Sequence, residues 1–462
     1  MENRVREGTI KYFQSSPFSP FLLNLFIFLE RINTMICNEV LIKGGHVVDP
    51  STGLDGCADI LIKDGKIKTI SNDIKTNNNT KVIDATSHYV IPGLIDCHVH
   101  LREPGLEYKE TIETGSRAAA MGGYTTLICE PNTIPPIDSL EMVESFMERV
   151  CQKSIVNIYT KACITKGLLG EELTDIDKLA TDKRVRALSD DGNPVFYETL
   201  MKKACELAAR NKLIISPHCE DSQVSLDKAK KDTHVAHFPG KPFCHETDFV
   251  LREIKYTEQA RGWLHVSHVS LKSTLEVIQQ AKERHIANIS CEVTPHHLLL
   301  DETFRDSSGN VPKTNPPLRS REDREALQKS LSNGLVDVIA TDHAPHTHDD
   351  IKKGASGFVG LENALGVILT KLVHPGILSL KEIVQKMSTN PARIFNVTGG
   401  RLAVGMPADI AIIDLTKEWT VEVEKFESKA RNCPFNGWKL KGQVVTTIVG
   451  GKVIVENCQM VC

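Results

Sequence analysis

Hydrophobic and polar positions along the chain fall into three textures. From Met35 onward, short alternating stretches are separated by turn residues: Glu39–Ile42, His46–Val48, Asp59–Ile62, Lys66–Ile70 and Lys81–Ile83. Gly44-Gly45 and Asp64-Gly65 sit between them, and alternation bounded by Gly, Asp and Asn predicts hairpins. The same texture returns near the C-terminus in Asp409–Asp414, Trp419–Val423, Val444–Val449 and Lys452–Val455, with Gly450-Gly451 at a turn. Neither segment has enough apolar surface to fold alone, so both chain ends are expected to build one small β-sandwich.

The middle of the chain reads differently. Eight apolar runs recur: Val90–His100, Tyr124–Cys129, Val156–Ile164, Val185–Asp191, Leu213–Cys219, Leu264–Val269, Ala287–Thr294 and Val336–Asp342. Runs without clean alternation suit parallel strands covered on both faces. Helix-period segments lie between most of them, including Thr111–Met121, Tyr197–Arg210, Asp248–Arg261, Ser270–Arg284 and Arg321–Ser332. Eight βα units in a row predict an α/β fold, a (β/α)8 TIM barrel. A doubly wound open sheet is the alternative, but no phosphate-binding glycine fingerprint follows the first strand. The expected division is residues 35–89 and 401–462 for the composite β-sandwich and 90–400 for the barrel.

Residues 1–34 form the third texture. The run Phe21–Leu29 is apolar but shorter than the roughly 20 residues that span a bilayer. It reads as a poorly ordered tail, an upstream start before Met35, or a targeting extension.

Composition narrows the function. At 462 residues, 41% hydrophobic and 25% charged, the chain has room for a large barrel and a smaller companion. A net charge of -4 and the lack of clustered Lys/Arg runs argue against a nucleic acid or an anionic membrane as partner. The 13 cysteines are odd in number and contain no CxxC pair, which points to reduced, buried, inert thiols in a cytoplasmic setting.

Barrels of this kind place their chemistry at the C-terminal ends of the strands. Here those ends carry His98-Val99-His100, Asp190-Asp191-Gly192, His218-Cys219-Glu220, His268 and Asp342-His343. Side chains on a strand alternate with period two, so His98 and His100 point the same way. Ile214, Ser216 and His218 share a face; so do Leu264, Val266 and His268, and Val336, Val338, Ala340 and Asp342. Each residue alone has a plainer reading: a lone HxH pair is weak, a single histidine is usually structural, and Asp342 could cap a helix. Four imidazoles and two carboxylates converging at one rim suit Zn²⁺, and their number suits two ions. Such ions lower the pKa of a water and polarise a carbonyl, while a nearby Asp accepts and returns a proton.

In its motifs the chain resembles the amidohydrolase superfamily and, in detail, the type I dihydroorotases. The resemblance rests on Asp96–Gly105, Glu130-Pro131-Asn132-Thr133, Ser189–Gly192, His218-Cys219-Glu220-Asp221, His268-Val269-Ser270, Thr294–Leu298, Asn315–Arg319 and Ala340–His346, and it spans roughly Glu39 to Val455. It implies that His98, His100 and Asp342 hold one zinc, that His218 and His268 hold the other, and that Asp191 bridges them. Relatives such as dihydropyrimidinases and allantoinases bridge with a carbamylated lysine. The fourth strand, Val185–Asp191, contains no lysine, and the family pattern selects Asp191 over Asp190.

The substrate implied is dihydroorotate, opened reversibly to N-carbamoyl-aspartate in pyrimidine biosynthesis, with Asp342 as the proton carrier. Arg102, Asn132 and His346 are assigned to the substrate carboxylate, with Asn315 on the ring and His100 also within reach. Asn132 could instead be a turn residue. Ser356 and Gly357 belong to a segment, His348–Gly360, expected to form a mobile loop over the site. The family often has an aromatic residue where this chain has Ser356, which removes an apolar contact; Gly357 retains its backbone groups. A homodimer and an aspartate transcarbamoylase partner are further expectations of the resemblance. Two rival readings stay open. One is a cyclic amidase for hydantoins or allantoin, against which the Arg102 clamp argues. The other is a non-catalytic partner of aspartate transcarbamoylase, against which the complete ligand set argues.

Overall fold

The structure, a computed structural model, describes residues 39–75, 78–220, 246–284, 288–306 and 309–461. The N-terminal apolar run and the reading of residues 1–34 lie outside the described residues. Among those described, no helix is long and apolar enough to cross a membrane.

Eight parallel strands form the barrel in chain order: β6 (Leu94–Val99), β7 (Tyr124–Cys129), β8 (Asn157–Ala162), β9 (Val185–Leu188), β10 (Ile214–Ile215), β11 (Trp263–Val266), β12 (Asn288–Val293) and β13 (Val338–Ile339). All eight expected runs are strands, though several are shorter than their apolar stretches. The ring closes between its first and last strands. Val99 bridges His343, the His100 amide donates to the His343 carbonyl (2.9 Å), and the Thr341 amide donates to the buried Asp96 carboxylate (3.2 Å). This seam is what brings His98 and His100 beside Asp342.

Both chain ends contribute to a second sheet. Its strands are β1 (Glu39–Asp49), β2 (Leu54–Lys63), β3 (Lys66–Ser71), β4 (Lys81–Asp84), β5 (Tyr89–Pro92), β14 (Ile410–Thr420), β15 (Lys439–Val449), β16 (Lys452–Glu456) and β17 (Gln459–Met460). Eight of them are hydrogen-bonded into one continuous path, with β5 joining β1 to β14, and β4 pairs with β1 beside that path. Val47, Ile60 and Ile62 from one end and Ile410, Ile412 and Ile448 from the other share one apolar core. Full burial of each such side chain is worth about 1.5–3 kcal/mol, which neither end could supply alone.

Two readings need correction. Gly44-Gly45 is not a hairpin turn: β1 runs straight through it with a bulge between Ile42 and Gly45. A Cβ on Gly45 would lie 2.4 Å from a Val90 methyl carbon, so the glycine serves a close approach between strands. The run Val90–His100 is likewise two strands in two sheets. They part at Gly93, where a Cβ would sit 2.2 Å from the Thr125 hydroxyl. Asp64-Gly65 and Gly450-Gly451 are true hairpin turns with both residues at positive φ.

Helices cover the outside of the barrel at the expected places, among them Ile112–Met121, Glu198–Asn211, Glu246–Ala260, Lys272–Glu283 and Arg321–Ser332. The first is capped by Thr111, whose hydroxyl accepts from the Thr114 amide, and it stops at Gly122. Inside the barrel, Ile95, Cys97, Ile128, Ala187, Ile214, Val338 and Ala340 pack with Phe395 and Val397. Ten described cysteines are free thiols; most are buried, but Cys57 and Cys151 are exposed, against the expectation of uniform burial.

Candidate active site

The rim of the barrel gathers all six predicted ligands. His98 Nε2 stands 3.4 Å from Asp191 Oδ1 and 3.6 Å from Asp342 Oδ1. His100 Nε2 lies 3.2 Å from Asp342 Oδ1 and 3.6 Å from Asp191 Oδ2. On the other side, His218 Nδ1 and His268 Nε2 are 3.0 Å apart, and they approach Asp191 Oδ1 at 3.5 and 3.8 Å. Asp191 therefore lies between the two histidine pairs. Its neighbour Asp190 turns away and accepts from the amides of Ile164 (2.7 Å) and Thr165 (3.1 Å), a structural role.

Simple alternation does not explain every placement. Ile214, Val338 and Ala340 face the barrel interior as expected, but Leu264 and Val266 pack outward against the helices, and Val336 does too. His265 takes the inward face of β11, stacking edge-on against Phe395. His268 reaches the rim because its backbone leaves the strand with φ +33°, and Asp342 does so with φ +49°. Such conformations cost roughly 1–3 kcal/mol each and tend to mark functional sites. Arg102 (φ +62°) is a third case at the same rim.

The cluster fits a cation. His98 Nε2 is buried and has no hydrogen-bond partner among the described residues, yet three carboxylates surround it. Two overlapping sets, His98 with His100 and Asp342 and His98 with Asp191 and His268, hold their ligand atoms within 4.8 Å of one another. Imidazole and carboxylate donors in that number suit a borderline divalent metal. Burial raises the Asp342 carboxyl, but the adjacent His98 and His100 outweigh it and hold that group well below the usual carboxylate range.

A cleft of about 450 Å³ opens over the cluster. His100, Arg102, Asn132, Asp191, His218, Asn315, Asp342, His346, Ser356 and Gly357 line it, and His98 and His268 lie deeper. Arg102 is buried; desolvation pulls its guanidinium down to about 10, so it stays charged at neutral pH. It donates from Nε to the Pro345 carbonyl and from NH2 to His346 Nε2, both at 3.2 Å. His346, pushed down to about 3 by burial and then by Arg102 and Lys109, stays neutral.

Asn132 and Asn315 line the cleft and also contact the histidine cluster. Asn132 Oδ1 pairs with His100 Nδ1 at 2.9 Å, and its amide donates to Asp191 Oδ2 at 3.0 Å. Asn315 Nδ2 donates to His218 Nε2 at 3.0 Å. Both therefore hold the histidine cluster while facing the cleft. The segment 348–360 begins with a short helix, His348–Lys352, with a full capping box at Thr347. Its far end is tied down by Gly357 donating to the Lys313 carbonyl (2.9 Å).

Several contributors escaped the sequence reading. Glu292 on β12 accepts from or pairs with His98 Nδ1 at 2.6 Å, takes the His268 amide at 3.2 Å, and contacts His265 and Cys97 through its other oxygen. Lys109 approaches His346 Nδ1 at 3.4 Å. Asn432, from the C-terminal part of the chain, accepts from the His346 amide (3.2 Å) and donates to the carbonyls of Ala344 (3.0 Å) and Gly357 (2.9 Å). A lone acidic residue inside the apolar run Ile289–Val293 was the available signal for Glu292. Nothing local marked Asn432.

Comparison with known proteins places this architecture. Residues 89–454 match the amidohydrolase family. Among similar chains, a dihydroorotase from Acetivibrio thermocellus is 42% identical over 90% of this chain and 99% of its own length. A dihydroorotase from Thermoanaerobacter sp. (strain X514) is 44% identical over 90% of this chain and 97% of its own length. Among solved structures, an L-hydantoinase (dihydropyrimidinase) from Arthrobacter aurescens aligns with a TM-score of 0.80 at 27% identity, over 92% of this chain and 97% of that one. A dihydropyrimidinase from Brevibacillus agri aligns equally well, TM-score 0.80 at 25% identity, over 92% and 96%. The barrel and the sheet built from the chain ends are thus shared with known enzymes, and the chain belongs to the amidohydrolase family.

Proposed function

We propose that the chain hydrolyses dihydroorotate reversibly to N-carbamoyl-aspartate, as a type I dihydroorotase whose rim cluster would hold two zinc ions, with Asp191 serving both. The observation that carries this reading is one cleft holding both halves of the required chemistry. A cluster of four histidines and two aspartates sits beside a buried, charged Arg102 paired with neutral His346. A cyclic amide that also bears a carboxylate needs both. The 42–44% identity to dihydroorotases supports the same substrate.

His98, His100 and Asp342 would hold one ion and His218 and His268 the other. Bound divalent ions acidify water and polarise a carbonyl. The chain supplies the rest. Arg102 offers a planar fork to the substrate carboxylate, and Lys109 adds positive potential behind His346. Asn132 fixes the His100 ring and the Asp191 carboxylate together. Asp342, ionised and next to His100, takes a proton from the attacking water and passes it to the ring nitrogen as the C–N bond breaks. One water is consumed, and a carboxylate, a ureido NH₂ and one proton released to solvent appear; the reverse order takes up a proton and closes the ring.

The solved relatives act on hydantoins by name, which makes hydantoin the natural competitor. Turnover of dihydroorotate and of hydantoin by the purified chain separates them. Dihydroorotate is expected to be preferred by at least about a hundredfold in kcat/KM, because hydantoin leaves Arg102 without its counter-ion. Equal or better turnover of hydantoin would overturn the substrate assignment.

A further inference from the structure

Beneath the histidine cluster lies a polar layer that the ring-opening chemistry does not use. Glu130, just past the end of β7, and Lys161, on β8, form an ion pair in which neither side chain has exposed surface. The Lys161 ammonium also donates to Ser216 Oγ at 3.0 Å, and Ser216 shares a hydroxyl hydrogen bond with Ser267, again at 3.0 Å. Ser216 lies two residues before His218, and Ser267 directly precedes His268. Glu130 Oε1 stands 3.6 Å from His98 Nε2, the ring nitrogen that also faces Asp191 and Asp342. No hydrogen-bond donor among the described residues reaches Glu130 Oε2.

Stability does not explain this pair. Two charges taken out of water cost at least as much as their attraction returns, and apolar residues of similar volume usually serve a core as well or better. The location supplies another reason. An isolated ammonium buried beside a centre built for divalent cations would repel them, and a carboxylate facing the His98 ring nitrogen would attract them. At the low effective dielectric of a barrel interior, both effects are large.

We propose that Glu130 and Lys161 are positioning residues of the metal centre, with Glu130 raising and Lys161 lowering the affinity of the His98 position for a divalent cation. Lys161 also fixes the Glu130 carboxylate and, through Ser216 and Ser267, ties it to the strand ends bearing His218 and His268. The inference rests on the metal-centre reading above. It predicts opposite signs for the two single substitutions, which a purely structural pair does not.

The test uses the full chain loaded with Zn²⁺. Metal content and affinity are measured by competition with a chromophoric chelator, for the unchanged chain, Glu130→Gln, Lys161→Met and the double variant. Apo-protein melting is recorded alongside, and Co²⁺ absorption reports the ligand field. Glu130→Gln is expected to weaken one ion at least about tenfold, because the Lys161 charge is left unopposed. Lys161→Met should bind at least as tightly as the unchanged chain, and the double variant should return to within about tenfold of it. Unchanged affinity in Glu130→Gln, or equal weakening in both single variants, would overturn the proposal alone. If Glu130→Gln does not fold, weaker binding in both Lys161→Met and the double variant overturns it. An unchanged chain that binds no divalent ion would overturn the metal-centre reading, and this proposal with it.

Discussion

The two sides of the histidine cluster are held in different ways. His98 and His100 come from one strand, and each has its second ring nitrogen bound to a side chain, the buried Glu292 at 2.6 Å and the partly buried Asn132 at 2.9 Å. His218 and His268 come from two strands. His218 is steadied by Asn315, but His268 Nδ1 has no hydrogen-bond partner among the described residues, and its backbone sits at φ +33°. Histidine ligands gain basicity and a fixed orientation when the free ring nitrogen meets a carboxylate. The His98 side has that support and the closing seam of the barrel behind it; the His268 side relies on the Glu292 contact to its backbone amide. The difference teaches that the rim is an anchored half, which also carries Asp342, the proposed proton acceptor, facing a more loosely supported half.

Substitutions should reveal that asymmetry. The largest effect is expected for Asp342→Asn, which removes both the proposed anionic ligand and the proposed proton carrier; turnover should fall about a thousandfold with the fold retained. Asn315→Ala, on the other side, should cost about tenfold or less, and parity between the two variants would erase the distinction. Next comes Glu292→Ala, expected to weaken metal binding about 10- to 100-fold in chelator competition. If Asn315→Ala weakens binding more than Glu292→Ala, the anchored half has been assigned to the wrong side. The smallest effect is kinetic: under dilute chelator, metal should leave in two phases, the faster one from the His218–His268 side. Single-phase release would show that the two sides are equally held.

How much of this was legible in the sequence depended on the distance between cause and consequence. The hairpins at Asp64-Gly65 and Gly450-Gly451 are local events, and their turn residues announce them. The eight barrel strands were visible as apolar runs, and the candidate ligands stood out as histidines and aspartates at the ends of those runs. Close backbone approaches were not visible. Gly45 and Gly93 read as turn or strand residues until Val90 and Thr125 are seen pressed against them. Face assignments failed at β11, where His265 rather than Leu264 faces inward, because the left-handed residue at His268 breaks the alternation that the argument assumed. Glu292 and Lys161 are lone charged residues in apolar strands; only the closed barrel turns them into partners of His98 and Glu130. Asn432 lies 75 residues beyond Gly357, and no short-range pattern joins the two.

The central claim is that these six side chains hold metal and that the metal is needed to open the ring. It is tested most directly by following dihydroorotate hydrolysis together with metal content in one preparation of the full chain, before chelation, after it, and after zinc is returned. The account predicts about two zinc ions per chain, loss of turnover as they leave, and recovery as they return. Undiminished hydrolysis by metal-free protein would contradict it.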